Sequence, residues 1–196
     1  MSDDPAPEPA AELESGPNRP GVARIAASIV GVMLIGFVIV LFTRETNTGI
    51  RVESSLFGQV VPEVTGEAFD GSTFDIGSAR GSWVLVNFFA SWCVPCENEH
   101  PELIEWDRRH SDDALIVSIP FGDTEEDARA FFDELGGDWP VILDPKAAYA
   151  VAFGVLQPPE SYLVAPSGVV VAKWLGEITA DEIDRVIAQL LESTTT

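Results

Sequence analysis

Trp83-Val84-Leu85-Val86-Asn87-Phe88-Phe89-Ala90-Ser91-Trp92-Cys93-Val94-Pro95-Cys96 is the stretch on which the fold turns. Trp83 to Phe89 is an almost unbroken apolar run, which predicts a strand covered on both faces. Two cysteines follow at once, and a helical pattern runs from about Pro95 to His110, with Pro101 expected to kink it. A Cys-x-x-Cys pair alone is common. One set between a βαβ strand and its helix points to redox chemistry. The first helical turn carries unpaired N–H groups and a partial positive charge. These favour the thiolate of Cys93 over its thiol and lower its pKa. Cys96 lies about one turn further in, close enough to attack a mixed disulfide at Cys93.

Working outward, Glu63 to Ile76 alternates around Asp70-Gly71, a hairpin signal. Ala114 to Ile119 predicts a second buried strand. Thr124 opens a helix, with Asp127 at the capping-box spacing and Gly136-Gly137 closing it. Val141 to Leu143 is a short strand, and Asp144-Pro145 reads as cap and first position of a helix that Gly154 stops. Ser161–Ala165 and Val169–Leu175 flank the turn Pro166-Ser167-Gly168, and Thr179 with Glu182 caps a last helix to about Leu191. Strands alternating with helices imply parallel crossovers, and the late hairpin adds an antiparallel edge. The fold class is α/β: a mixed sheet with helices on both faces. Trp83, Trp106, Trp139 and Trp174 are expected to pack, and Trp92 both to flank the core and to line the site.

The chain has 196 residues and a formal net charge of -21, with 32 acids against 11 Lys and Arg. That balance argues against nucleic acid as a partner, since phosphates must be met by basic side chains. Residues 1–24, rich in proline and acid, read as a disordered tail. Ile25 to Phe42 carries no charge, and as a helix it reaches about 27 Å, close to the roughly 30 Å of a bilayer core. A buried helix would show a polar stripe, and a signal peptide would be followed by a small-x-small site; neither is present, so the reading is a single-pass anchor. Arg19 and Arg24 before it and Arg44 and Arg51 after it leave its orientation a tie. Residues 43–56 read as a linker, 57–191 as the folded domain and 192–196 as a frayed tail.

Other readings of the cysteines compete. A structural staple across a four-residue ring would stabilise the fold by only about 2 kcal/mol. Zinc could draw on Cys93, Cys96, His100 and His110, but the histidines are ten positions apart on one helix, not three to five. A thiol peroxidase would carry a Thr a turn ahead of its reactive cysteine, and Phe89-Ala90-Ser91 lacks one. A disulfide-inserting oxidase and a tethered, non-catalytic binding module for unfolded secreted proteins remain as alternatives; loss of both sulfurs would separate the binder from an enzyme.

Val86 to Pro101 resembles the active-site segment of membrane-anchored thioredoxin-like thiol–disulfide oxidoreductases of the cytochrome c maturation type, the TlpA, ResA and DsbE-like group. Gly154-Val155-Leu156-Gln157-Pro158-Pro159-Glu160-Ser161-Tyr162-Leu163-Val164 resembles their second signature, a loop with a cis-proline. The resemblance covers about Phe57 to Leu191. It implies Cys93 as the exposed attacking sulfur, Cys96 as the buried resolving sulfur and Glu99 as a carboxyl near them. Spacing supports the last, because Cys96 and Glu99 share a helix face, although a solvated helix glutamate fits the spacing equally. Pro159 would be cis, and Trp92, Pro95, Pro158, Pro159 and Glu160 would meet the substrate; as a loop acid, Glu160 could equally be only solvated. Asn87 stands where thioredoxins carry a buried aspartate, which moves acid–base work toward Glu99. Pro158 lacks the N–H usually offered to an extended substrate. The implied partners are extracytoplasmic thiol or disulfide proteins, apocytochrome c among them, and a membrane electron donor. The implied activity is disulfide reduction on the outer side of the cytoplasmic membrane, with no cofactor or metal beyond the Cys93–Cys96 disulfide.

Overall fold

The computed structural model describes residues 20–43 and 50–194, and the chain divides into two compact units, 1–45 and 46–196. In the first unit, α1 runs Pro20–Thr43. It starts five residues before the expected span, because Pro20 at the first helical position gives up an N–H that would be unpaired anyway. Side chains are described from Ile25 to Val38, and Ile25, Ile29, Val32, Met33 and Phe37 are all exposed. Among the described residues no helix is long and apolar enough to cross a membrane. The span expected over 25–42 reaches past those side chains, and the acidic tail over 1–19 lies outside the described residues.

The second unit is built on a five-stranded sheet, order β1-β7-β6-β4-β5, beside a two-stranded hairpin β2-β3. Its elements in chain order are β1 (Ile50–Arg51), β2 (Thr65–Glu67), β3 (Thr73–Asp75), β4 (Trp83–Phe89), α2 (Val94–Arg109), β5 (Ala114–Pro120), α3 (Glu125–Leu135), α4 (Ala148–Phe153), β6 (Glu160–Val164), β7 (Val170–Leu175) and α5 (Ala180–Thr194). β4 is buried at every position, as its apolar run requires, and it pairs parallel with β5 and antiparallel with β6. The late hairpin is therefore not an edge addition. β6 is buried along its whole length and takes the interior place beside β4, leaving β7, which is only partly buried, further out.

Side chains alternate across the sheet. Val84, Val86 and Phe88 join a core with Ala150 and Phe153 of α4, while Trp83 and Leu85 join a second core with Leu103 and Trp106 of α2 and Ile183 and Val186 of α5. Helices thus cover both faces. Thr124 caps α3 as expected: its hydroxyl accepts the Asp127 N–H at 3.1 Å and donates back to the Asp127 carboxylate at 2.6 Å. The four expected packing tryptophans are buried, whereas Trp92 is 61% exposed.

Other expectations shift. Val141–Leu143 makes only isolated bridges, Val141 to Ser118 and Ile142 to Ala68. Asp144 caps α4 from further away than expected: its carboxylate accepts the N–H groups of Ala148 and Ala150, and Ala147, at φ 52°, occupies the turn between. α5 continues to Thr194, so residues 192–194 of the expected tail are helical. Part of the expected linker is sheet. Ile50 and Arg51 pair with Leu175 and Trp174, and Val52 donates to the Lys173 carbonyl; just beyond the linker, Gly58 and Gln59 exchange backbone hydrogen bonds with Val170.

Candidate active site

Cys93 and Cys96 are joined as a disulfide with Cα atoms 5.2 Å apart. Cys93 is the N-cap of α2, and its sulfur accepts the Cys96 N–H at 3.2 Å. That donor, with Pro95 in the first turn, makes this sulfur the one addressed by the positive end of the helix. The expected contrast in exposure is small in the disulfide form, with Cys93 4% exposed and Cys96 1%. Both cysteines belong to one buried cluster with Phe89, Ala90, Ala128, Phe131 and Val141, so Cys93 is not the exposed sulfur expected. What lies open are its neighbours Trp92, Val94 and Pro95. The loop before the pair is tied down by Asp123, whose carboxylate accepts the Ser91 N–H at 2.6 Å and the Ser91 hydroxyl at 3.0 Å.

Glu99 is three positions beyond Cys96 and 2% exposed, which removes the solvated alternative. Burial pushes its carboxyl up to about 8, with nearby Glu177 adding to the rise. Two donors hold it back from rising further: Asn87 Nδ2 to Oε1 at 2.7 Å and the Ile178 N–H to Oε2 at 3.2 Å. Asn87 also donates to Ser161 Oγ at 3.1 Å, and its own carbonyl accepts from Ser118 Oγ at 3.3 Å. Ser118 in turn accepts the indole N–H of Trp139 at 2.8 Å. The three polar side chains stand in register across β5, β4 and β6, Asn87 opposite both Ser118 and Ser161. From sequence, Ser118 and Ser161 were not assigned to the site, and Trp139 was expected only to pack. The available signal was Asn87 and Ser118 each standing as a polar residue inside an apolar strand, since a buried polar group must find a partner.

His100 is equally buried but belongs elsewhere. Its Nε2–H donates to the Gly136 carbonyl at 2.8 Å, and its ring lies among Phe131, Phe132 and Trp139. Burial lowers its pKa. Among the described residues no cluster could hold a metal ion.

β4 ends and β6 begins at the same end of the sheet, Phe88 pairing with Glu160, so the loop before β6 and the cysteine loop after β4 share that end. The Pro158–Pro159 bond is cis, as expected, and both prolines are buried. Glu160 is neither a loop acid nor solvated. It opens β6 at 1% exposure, paired with Lys173 Nζ at 2.7 Å, and accepts the N–H groups of Leu156 and Gln157 and the Tyr162 hydroxyl. It fixes the loop from inside and presents no carboxylate to a substrate.

The AhpC/TSA family description matches residues 57–173. The chain is 31% identical over 156 residues to the thiol:disulfide interchange protein HelX of Rhodobacter capsulatus, covering 78% of this chain and 87% of that one. It is 42% identical over 102 residues to the thiol:disulfide interchange protein CycY of Rhizobium leguminosarum, a match over 51% of this chain and about half of CycY, 53%. The thioredoxin domain of a thiol–disulfide oxidoreductase from Bacteroides vulgatus superposes with a TM-score of 0.62 at 26% identity, covering 70% of this chain and 99% of that one. With a cysteine pair at the head of α2 and the thioredoxin-like sheet behind it, the chain belongs to the AhpC/TSA family, in the TlpA/ResA/DsbE group, and is a thiol–disulfide oxidoreductase.

Proposed function

We propose that this oxidoreductase is tethered to the cytoplasmic membrane by Ile25–Phe42, holds its redox site on the outer side, and reduces disulfides of apocytochrome c or other secreted proteins. The observation that carries this reading is the buried carboxyl of Glu99, three positions beyond Cys96 on α2. Cys93 thiolate attacks a substrate disulfide, forming Cys93–S–S–substrate and expelling one substrate thiolate. Cys96 then gives its proton to Glu99, and its thiolate attacks the Cys93 sulfur. The second substrate sulfur leaves, the substrate ends as a dithiol, and the protein ends as the Cys93–Cys96 disulfide. A membrane electron donor returns two electrons, and no cofactor beyond the disulfide takes part.

A carboxyl that burial raises to about 8 is a far stronger base than an ordinary carboxylate, which suits it to take up a thiol proton. Tethering is supported by the apolar α1 with its outward-facing side chains. The side of the membrane rests on where secreted disulfides form.

The test is covalent capture. Cys96→Ala expressed in intact cells holds the substrate as a mixed disulfide at Cys93, and Glu99→Gln accumulates the same species, with release slowed by about 10²-fold. Capture of cytoplasmic proteins alone, or labelling by a membrane-impermeant thiol reagent only after lysis, overturns the location. Unslowed release in Glu99→Gln overturns the role of the carboxyl.

A further inference from the structure

Between Val155 and Pro159 the loop at the redox end of the sheet has no main-chain donor left over. Val155 N–H goes to the Ala150 carbonyl at 2.8 Å. Leu156 and Gln157 N–H both go inward to Glu160 Oε1, at 2.8 and 3.3 Å. Pro158 and Pro159 have none to give. Glu160 is able to do this because its other oxygen is held by Lys173 Nζ at 2.7 Å, and Lys173 lies 4.9 Å over the Tyr162 ring. The carboxylate is thus fixed from both sides, and the N–H groups it collects are held firmly. An extended chain that docks as a strand needs donors from the edge it joins. What the same end of the molecule offers instead is apolar surface: Leu156 is 85% exposed, Trp92 61% and Val94 62%.

We propose that Glu160 and Lys173 are positioning residues that withdraw the loop's N–H groups from substrate, so that the partner is a cysteine segment recognised by apolar side chains beside its sulfur rather than by strand pairing. The proposal rests on thiol–disulfide exchange at Cys93 but on neither the direction of electron flow nor the side of the membrane. Binding area at Leu156, Trp92 and Val94 then comes from burying apolar atoms, and the selectivity is for the residues next to the reacting cysteine.

The probes are two acetylated pentapeptides with one central cysteine, flanked by leucines in one and by serines in the other, each as its mixed disulfide with thionitrobenzoate. Reduced Cys93 attacks the peptide sulfur and expels coloured thionitrobenzoate, so the second-order rate is read by absorbance. The leucine peptide is expected to react about tenfold faster, the worth of a buried apolar side chain in part. In Leu156→Ser, an exposed change that leaves the core untouched, the preference falls to about twofold. In Cys96→Ala, where a mixed disulfide at Cys93 cannot be resolved, the Leu156 and Gln157 amides are expected to exchange with solvent far more slowly than open-loop amides, and attachment of either peptide at Cys93 leaves them unchanged. Equal rates for the two peptides, or a preference that survives Leu156→Ser, overturns the proposal. So do amides that exchange freely until the peptide is attached. Failure of both peptides to react overturns exchange at Cys93 itself, which keeps the two failures apart.

Discussion

Glu99→Gln is expected to invert in its effect on stability as pH rises. In the fold the carboxyl protonates at about 8, against 4.5 for the free group, and burial is the main cause. A folded pKa raised above the unfolded one means that the unfolded chain gives up its proton first. Stability is then fully present below about pH 4.5 and is lost as pH climbs to about 8, by about 5 kcal/mol in all at 1.36 kcal/mol per unit. Glutamine carries no proton and loses this slope. It also presents an NH₂ where Glu99 Oε2 accepts the Ile178 N–H, which costs about 1 kcal/mol at every pH. The wild type should therefore be the more stable near pH 4, the two should cross between about pH 5 and 6, and the variant should lead by about 3 kcal/mol near pH 8 and about 4 kcal/mol near pH 9. Urea unfolding of the two oxidised proteins from pH 4 to 9, followed by tryptophan fluorescence, measures the difference directly. Curves that run parallel over that range would refute a buried, proton-holding Glu99.

Four further outcomes are expected. His100→Leu should reduce acid sensitivity, because a folded pKa held below 6.5 means stability present above that pH and lost as pH falls; an unchanged difference between pH 7 and pH 5 unfolding midpoints would refute it. Asn87→Leu removes a donor that lowers the Glu99 pKa, so the pH midpoint for release from the mixed disulfide should move upward, and a fixed midpoint would leave Asn87 without influence there. Lys173→Met leaves the Glu160 charge buried alone and should cost about 3–5 kcal/mol in unfolding free energy, most of it recovered when Glu160→Gln is added. Thr124→Ala should cost about 1 kcal/mol by the same measurement, through loss of the α3 cap.

What sequence could and could not disclose follows from how far apart the partners lie. β4 and the head of α2 were legible because a continuous apolar run and the cysteine spacing are both local. The capped start of α3 was legible for the same reason, since Thr124 and Asp127 are three residues apart. Glu160 was misread because its partner is on another strand. Glu160 pairs with Leu175 in register, and Lys173, two residues before it, stands diagonally on the same face. Period-two alternation relates the two positions, but only once the strands are known to be neighbours. The place of β6 between β4 and β7 was likewise settled by which strand buries both faces. The expected contrast between the cysteines shrank because both are buried in one apolar cluster with Ala128, Phe131 and Val141, from α3 and beyond it.

The outer margin of β7 has a further consequence. Ile50 and Arg51 pair with Leu175 and Trp174, Val52 donates to Lys173, Gly58 donates to Val170 and Gln59 accepts from it, and Val61 donates to Gly168. On the opposite margin Ser118 of β5 is engaged by Pro140 and Ile142. Open strand edges are where sheets from different molecules fuse. The sheet is thereby guarded against annealing with other extended chains: the β7 rim is already zipped by residues 50–61, and the β5 rim is broken midway. Deleting residues 50–61 would unzip the longer rim, and the resulting protein should aggregate in proportion to the unfolded chain supplied while its cysteine pair stays intact.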